Sequence, residues 1–493
     1  MKQFTFFPIA LLFVIWVAEP GRCSVRQQKF SEFVRGLKEK ADPDLEAPPA
    51  ASLNASIAKD RVFYPRAYGA DPSGGEDSSD AILKALEDAF SVQNGLELLH
   101  GVNDLGGVVI DLQGGNYKIS KPLRFPAAGG GNVVVKAGTL RASDTFPGDR
   151  HLVELWSPNS QKLFHPKTNS SSSSSSHLSQ LTQQKSQIYY EDVTFQDILF
   201  DSGNRGGGLF AVDSARIRID SCFFLHFTTQ GILVQKGHET LIIATFLGQH
   251  STVGGDPAEK DFSGTAIDIS SNDNAVTDVV IFSAATGIIL RGQANILTGV
   301  HCYNKATAFG GVGISIQLPG LSQTRIDNCY LDYTAIVMED PVQVHVTNGF
   351  FLGDANIVLR SVKGQISGLN IVDNMFTGYA EDMYPIVQLE GKFTRIDQVV
   401  IDRNNVRGMS LKSTAGRMTV AGSGTKWVAD FSKVLVFPNL ISHFQYSFYA
   451  KGGVAGGFPA HVVTDLSNNT VVVESERAVD GLVSVAVDQH NMI

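Results

Sequence analysis

The chain has 493 residues, of which 43% are hydrophobic and 18% are charged, so it is long and apolar enough to bury a large core. Its formal net charge of -9 excludes a general binder of nucleic acids or anionic membranes, because such proteins present a basic face. An acidic polymer can still bind where cations line a groove.

The amino terminus has the pattern of a secretory signal. An apolar run over residues 4–18 is followed by the small residues Gly21 and Cys23. The run is too short to span a bilayer, so residues 1–23 are predicted to be a cleaved signal peptide. We therefore expect a secreted protein that is not held in a membrane after cleavage. Residues 24–60, which combine charges with prolines, are predicted to be a leader or linker.

The folded part is predicted to begin at residue 61 with a turn and one helix. Residues 71–75 (DPSGG) form a turn cluster, and Ser78 or Ser79 can cap the helix that follows. A helix ahead of a long run of strands is expected to cover the open end of a solenoid. Its apolar side is formed by Ile82, Leu83, Leu86 and Phe90.

An irregular repeat is the most informative feature of the chain. Short segments with an aromatic residue recur roughly every 21–27 residues, the length of one coil of a β-solenoid. If their rings stack about 4.8 Å apart on successive coils, the fold is a right-handed parallel β-helix with these rings in its core, not on a sugar-stacking surface. The segments are 197–200, 219–223, 244–246, 280–282, 300–303, 327–330, 349–351 and 374–376.

The same repeat bears on the cysteines and on one histidine. Cys302 and Cys329 are predicted at equivalent positions of adjacent coils, where they can form a disulfide or a reduced stack beside Cys222. Cleavage after Cys23 leaves an odd, sparse set that makes no disulfide framework, and no spacing indicates zinc. His301 is expected to be a core or surface histidine and not a catalytic one.

A second strand follows each aromatic segment, at 231–235, 266–270, 287–291, 313–317, 335–339 and 356–360. Side chains alternate between the two faces of a strand. If the isoleucines near the start of each strand point inward, a polar stripe lies outside. Its members are Gln235, Asp268, Ser270, Arg291, Ser315, Gln317, Glu339 and Arg360.

The β-helix is predicted to span residues 61–424. A serine-rich stretch over residues 168–185 is predicted to be a mobile loop within it. Short valine-rich strands over residues 425–493 are predicted to form a small C-terminal β module that covers the other end. Three sequons predict N-glycosylation at Asn54, Asn169 and Asn468.

Two motifs and the tail resemble a known superfamily. Residues 68–74 (YGADPSG), 77–82 (DSSDAI) and the stacked coils resemble the pectate-lyase-like β-helix proteins. The tail over residues 427–488 is similar to that of plant quartet-type polygalacturonases, of the glycoside hydrolase family 28 type. This resemblance implies a cofactor-free enzyme of the cell wall or apoplast that hydrolyses the α-1,4-galacturonosyl bonds of pectin, an acidic polysaccharide. We expect a monomer.

The catalytic residues of that family cannot be carried over. Its Asn-Thr-Asp, Asp-Asp, Gly-His-Gly and Arg-Ile-Lys motifs are absent from this sequence. Inverting hydrolysis needs two carboxyl groups about 6.5–9.5 Å apart, one as acid and one as base. Asp268, in the central coils of the polar stripe, is the first candidate. Its partner is expected among Asp256 and Asp261, in the insertion before it, and Asp201, at the end of an aromatic strand.

Substrate binding is expected from the rest of the stripe. A guanidinium at Arg291, one coil beyond Asp268, can hold a galacturonate carboxylate and lower the pKa of a nearby general base. A simple ion pair between Arg291 and Asp268 is the alternative. Lys236 and Arg360 extend the positive charge, Gln235 and Gln317 complete the surface, and Glu339 is expected at another subsite.

Two further functions stay open at this point. A Ca²⁺-dependent pectate lyase would need several carboxylates around one cation, which Asp256, Asp261, Asp268 and Asp273 can supply. The missing family motifs are also compatible with a non-catalytic pectin-binding protein of the wall.

Overall fold

The computed structural model describes residues 61–92, 94–158, 160, 187–249, 263–303, 310–451 and 457–490. In these ranges the chain winds as a right-handed parallel β-helix in which most coils contribute one strand to each of three stacks, sheets 1, 2 and 3. This confirms the predicted fold class. The predictions for the signal peptide, the leader, the serine-rich loop, Asn54, Asn169, Asp256 and Asp261 lie outside the described residues.

Sheet 1 begins each coil, and its strands pair in parallel with the strands one coil before and after. Strands are numbered along the chain. Sheet 1 contains β1 (Val62–Phe63), β3 (Val102–Asp111), the first halves of β6 (Gly130–Ala142) and β8 (Tyr190–Asp201), β10 (Arg218–Asp220), β13 (Leu241–Ile243), β16 (Ala275–Thr277), β19 (Asn295–Thr298), β22 (Thr324–Asp327), β25 (Val344–Thr347), β29 (Asn370–Val372) and β33 (Val400–Asp402).

Sheet 2 follows after a sharp bend, and most of its strands are only three residues long. It contains β4 (Asn116–Ile119), the second halves of β6 and β8, β11 (Phe223–Leu225), β14 (Phe246–Gly248), β17 (Val280–Phe282), β20 (His301–Tyr303), β23 (Tyr330–Asp332), β26 (Phe350–Leu352), β30 (Met375–Thr377) and β34 (Asn405–Arg407).

Sheet 3 completes the coil with longer strands. It contains β5 (Leu123–Arg124), β7 (His151–Leu155), β9 (Gly207–Ala215), β12 (Gln230–His238), β15 (Thr265–Asn272), β18 (Thr286–Leu290), β21 (Val312–Ile316), β24 (Ala335–Glu339), β27 (Asn356–Arg360) and β31 (Val387–Glu390). Two short elements lie beside the stacks: β2 (Glu97–Leu99) pairs antiparallel with β3, and β28 (Gln365–Ser367) pairs with β32 (Arg395–Asp397).

A single residue with positive φ makes the bend between sheets 1 and 2. A left-handed conformation is favoured by glycine and tolerated by asparagine and aspartate, and five of the eight residues at these bends are of these three types. One such residue turns the chain without a loop, which keeps each coil short. The residues are Ser221, Ala244, Asp278, Gly299, Asn328, Asn348, Asp373 and Arg403.

The predicted helix lies at the start of the solenoid, as α1 (Ser79–Phe90). Its apolar side joins the core, and the Phe90 ring lies 5.4 Å from that of Phe125, edge to face. The Ser78 hydroxyl accepts the N–H of Asp71 and so ties the preceding turn, while the Asp77 carboxylate accepts the N–H of Ser79. The DPSGG motif is therefore a structural turn that positions the helix.

The core is a continuous column of apolar side chains inside the coils. In the short strands of sheet 2 the middle residue points inward, so rings stack from coil to coil: Phe200 on Phe224 at 4.4 Å and Phe351 on Phe376 at 4.3 Å between centroids. Stacked and edge-to-face rings add to the free energy gained by burying their area. The inward row is Phe200, Phe224, Leu247, Ile281, Cys302, Leu331, Phe351 and Phe376.

The prediction that the whole aromatic series lies in the core is wrong. Several rings stand at the first or third position of a three-residue strand, and alternation then turns them outward. Successive coils align on the middle residue of each strand and not on the aromatic residue. The outward rings are Phe223, Phe246, Phe282, Tyr303, Tyr330 and Phe350, with His301 among them.

The predicted equivalence of Cys302 and Cys329 is also wrong. Cys302 pairs with Leu331 in the next coil, so Cys329 stands two positions earlier, at the bend before its strand. Both are buried free thiols, as is Cys222, and burial raises the pKa of Cys222 and Cys329 to about 12. These buried thiols are inert packing groups.

A four-stranded antiparallel sheet follows the last coil. It consists of β35 (Ala415–Asp430), β36 (His443–Ala450), β37 (His461–Ser467) and β38 (Thr470–Asp488), and it begins ten residues before position 425. Trp427 and Phe431 are in its own core, whereas Phe437, between β35 and β36, packs into the core of the solenoid. Asn468 is exposed at the turn between β37 and β38, where an acceptor asparagine is accessible.

Candidate functional site on sheet 3

The outer face of sheet 3 carries two rows of side chains along the solenoid axis. The strand register aligns one row through Glu154, Phe210, Leu233, Asp268, Ile289, Ser315, Val337, Val358 and Gln388. The second row is Val212, Gln235, Ser270, Arg291, Gln317, Glu339, Arg360 and Glu390. The predicted polar stripe is thus split into one mostly apolar and one mostly polar row.

Asp268 points outward, because its neighbours Ile267 and Ile269 are inside the core. It is nevertheless only 7% exposed, since Leu233 and Ile289 flank it in the coils before and after. Its Oδ1 atom is buried and accepts no hydrogen bond within the described part of the chain. An unpaired buried acceptor costs about 1–3 kcal/mol, which a hydroxyl donor from a ligand would recover.

Burial shifts the pKa of this carboxyl group. It raises the pKa of Asp268, although the Arg291 guanidinium acts in the opposite direction. Arg291 does lower the pKa of Asp268, as expected, but the net shift is upward because the flanking aliphatic side chains desolvate the carboxylate more than one partly exposed cation stabilises it. A carboxyl group with a raised pKa is suited to act as a general acid.

Arg291 joins Asp268 to the polar row. Its Nη2 lies 3.2 Å from Oδ2 of Asp268, and its Nη1 donates to the side-chain oxygen of Gln317. Gln317 in turn donates to the hydroxyl of Ser315 at 3.0 Å. The Arg291 side chain is 37% exposed, so a ligand can contact this network through the guanidinium group. The ion-pair alternative is present in the structure and does not exclude substrate contact.

Gln235 lies one coil before this network, in the same row as Ser270. Its side-chain oxygen is buried and accepts no hydrogen bond from a described residue. Together with Oδ1 of Asp268 it gives two unpaired acceptors in adjacent coils. Such a pair is suited to the hydroxyl groups of a sugar.

The far end of the row is a separate charged group. Glu339 is three coils from Asp268, about 14 Å by strand spacing, and Arg360 follows it. The Nε of Arg360 donates to Glu390 at 2.8 Å, and its Nη1 lies 3.9 Å from Oε1 of Glu339. These residues are too far away to take part in proton transfer at Asp268.

Two predicted site residues do not join this network. Lys236 stands at an irregularity of β12 with a positive φ, and its amine lies 3.9 Å from Oδ1 of Asp213. Asp201 lies on sheet 2, where its Oδ1 is 2.7 Å from Nδ1 of His226. Burial opposes ionisation of Asp201, yet this contact and the N–H of Gly203 lower its pKa. Asp201 is therefore wrong as the partner of Asp268, because the two side chains project from different sheets.

Sequence reasoning missed three acidic residues. Glu154 begins the apolar row, fully buried, with hydrogen bonds from Arg150, Trp156 and the N–H of His151. Asp332, half-buried on sheet 2, and Asp354, buried before β27, have pKa values that desolvation raises. Their degree of burial depends on residues distant in the chain, and strand alternation alone cannot predict it.

Within the described ranges, no group of three or more His, Cys, Asp or Glu comes together to hold a metal ion. Of the four acids predicted for a calcium site, Asp268 and Asp273 are in the described residues. Among the described helices, none is long and apolar enough to cross a membrane.

Comparison with known proteins places the chain beside one curated relative and a large group of solved structures. It is 51% identical over 451 residues to polygalacturonase QRT3 of Arabidopsis thaliana, a match that covers 91% of this chain and 88% of the relative. ORF18 of Geobacillus virus E2 is similar in fold, with a TM-score of 0.53 and 11% identity over 89% of this chain and 80% of that one. No family model matches the chain.

Proposed function

The chain belongs to the polygalacturonase family of QRT3, and from this premise we propose that it is a secreted hydrolase of the α-1,4-galacturonosyl bonds of pectin. The observation that carries the proposal is the raised pKa of the buried Asp268 beside the accessible Arg291. A proton donor next to a cation fits a substrate that has a carboxylate on every sugar unit.

In the proposed reaction Asp268 is the general acid. Its proton passes to the oxygen of the bond that breaks, while Arg291 holds the carboxylate of an adjacent galacturonate unit. Gln317 and Gln235 accept hydrogen bonds from sugar hydroxyls on either side. A carboxylate that activates water completes the reaction, and Asp261, shortly before Asp268 in the chain, is our candidate for it.

One observation favours a second function. The other carboxylates among the described members of the two rows are too far from Asp268 to be the base: Glu154 and Glu339 are three coils away and Glu390 is five. A site with a proton donor and no base within reach of it would bind pectin without cleaving it. A non-catalytic pectin-binding protein is therefore the second candidate.

The product of a single incubation separates these functions. The purified full chain is mixed with polygalacturonate, with and without a chelator, and both reducing ends and ultraviolet absorbance are followed. Hydrolysis predicts new reducing ends with no unsaturated product, whether or not chelator is present. An unsaturated product that the chelator abolishes would indicate a lyase. Binding with neither product would indicate the non-catalytic function.

A further inference from the structure

The outer face of sheet 2 carries an aromatic strip that the site on sheet 3 does not use. We define the aromatic strip as the outward side chains of β11, β14, β17, β20, β23, β26 and β30. One row is Phe223, Phe246, Val280, His301, Tyr330, Phe350 and Met375, and the other is Leu225, Gly248, Phe282, Tyr303, Asp332, Leu352 and Thr377.

The rings of the strip form an unbroken series of contacts. Centroid distances are 5.7 Å from Phe223 to Phe246, 5.4 Å from Phe246 to Phe282 and 5.8 Å from Phe282 to His301. The series continues at 4.3 Å from His301 to Tyr330 and at 6.0 Å from Tyr330 to Phe350. Phe223 and Phe350, near its two ends, are 50% and 46% exposed. The rings between these ends are half-buried, so each offers one edge or face to a ligand that lies along the strip.

The dimensions of the strip favour an extended chain over a protein partner. The six spacings of about 4.8 Å between the seven strands, with two outward residues per strand, give a strip of about 29 Å by 7 Å. Its area of roughly 200 Å² is far below the roughly 800 Å² that each partner of a stable protein complex buries. A linear polymer one unit wide can cover the strip completely.

The charge of the strip decides which polymer fits. None of the outward positions in these seven strands is lysine or arginine, and the only carboxylate is that of Asp332. A polyanion such as polygalacturonate would find no countercharge here. An uncharged polysaccharide would pack the C–H faces of its sugars on the rings, and its hydroxyls could bond to Tyr303, Tyr330 and Asp332.

We propose that the aromatic strip is a second carbohydrate-binding surface, which takes an extended, uncharged polysaccharide chain. The coil spacing of about 4.8 Å is close to the length of one sugar unit, so successive rings meet successive sugars. The strip projects from a different sheet than Asp268, so one molecule can hold a neutral wall polymer on one face and pectin on another.

The test measures binding of the full chain to amorphous cellulose, xylan and fully methyl-esterified pectin, with polygalacturonate as the charged comparison. Phe223 and Phe350 are both replaced by alanine. We expect the unmodified chain to bind at least one uncharged polymer and the double variant to bind it about tenfold more weakly. Tyr449→Ala, which removes a 63% exposed ring from β36, is the matched control and should bind like the unmodified chain.

Three results would overturn the proposal. These are no binding to any uncharged polymer, equal binding by the double variant, and an equal loss in Tyr449→Ala. A double variant with a lower melting temperature and unchanged binding would show that the rings only stabilise the stacking of coils. Asp268→Asn should keep the binding, which separates failure of this proposal from failure of the proposed function.

Discussion

The Nη2 of Arg291 lies 3.2 Å from Oδ2 of Asp268, yet the pKa of Asp268 is raised. Burial between Leu233 and Ile289 is the larger effect, and the guanidinium only moderates it. The same residue pair therefore combines a carboxyl group of raised pKa with a partly exposed cation beside it.

Replacement of Asp268 by asparagine should change stability in a pH-dependent way. A carboxyl group with a raised folded pKa binds more protons in the folded state, so wild-type stability falls as pH rises from the unfolded value of 3.8 through the folded pKa. Asparagine cannot ionise, so the melting temperature of Asp268→Asn should rise relative to that of wild type as pH increases over this window. Asp201→Asn is the control of opposite sign. The lowered pKa of Asp201 stabilises the wild type at and above pH 3.8, so the asparagine variant should be less stable than wild type there. Equal pH profiles for Asp268→Asn and wild type would contradict the burial argument.

Replacement of Arg291 by glutamine should shift the pH profile of hydrolysis. The guanidinium lowers the pKa of Asp268, so its loss raises that pKa and moves the alkaline limb of kcat to higher pH. KM for polygalacturonate should rise about tenfold or more, because a charge-assisted contact is lost. Arg360→Gln, three coils further along, should leave the alkaline limb in place. A shift of the same size in Arg360→Gln would indicate a general effect of surface charge.

Adjacent phenylalanines test the register of sheet 2. Phe224 is buried and its ring stacks on that of Phe200 at 4.4 Å, whereas Phe223 points outward. Phe224→Ala should lower the free energy of unfolding by about 3–5 kcal/mol, and Phe223→Ala by about 1 kcal/mol or less. Denaturant unfolding measures both. Similar losses of unfolding free energy in the two variants would contradict the assignment of Phe224 to the inner face and Phe223 to the outer face of sheet 2.

Acid sensitivity should depend in part on His151. Burial lowers the pKa of His151 to about 4, so the folded state resists its protonation. The unfolded state binds that proton from about pH 6.5 downward, and stability is therefore lost as pH falls from 6.5 to 4, by on the order of 3 kcal/mol. His151→Asn should show a smaller loss over this window in thermal unfolding, with the exposed His345→Asn as control. An unchanged pH dependence in His151→Asn would count against the buried neutral imidazole.

The sequence predicted the fold well and the site only in part, for a physical reason. Coil length, alternation and the inward isoleucines are local properties, so the β-helix, its capping helix and the row from Gln235 to Arg360 could be predicted from pattern. Whether a ring faces inward or outward depends on its place in a three-residue strand, and the aromatic period alone does not contain that information. Phe223 and Phe224 differ by one position and have opposite environments.

Burial and partner choice could not be predicted from the pattern. The sign of the pKa shift at Asp268 depends on which side chains flank it in neighbouring coils, and those are distant in the chain. Asp201 and Asp268 are separated because they belong to different sheets. The sequence positions of the acidic residues do not by themselves show which sheet each one belongs to. Lys236 stands at an irregularity of β12 and therefore does not join the polar row. The pattern of residues around it did not predict this irregularity.

The activity of Asp268→Asn on polygalacturonate is the most direct test of the account. Loss of a general acid should reduce kcat by about 10²–10⁴-fold, with the circular dichroism spectrum unchanged. Asp354→Asn is the matched control, because Asp354 is also a buried carboxyl group with a raised pKa, four coils away. We predict a near-normal kcat for Asp354→Asn and a strongly reduced kcat for Asp268→Asn. Full activity in Asp268→Asn would contradict the assignment of the site to sheet 3.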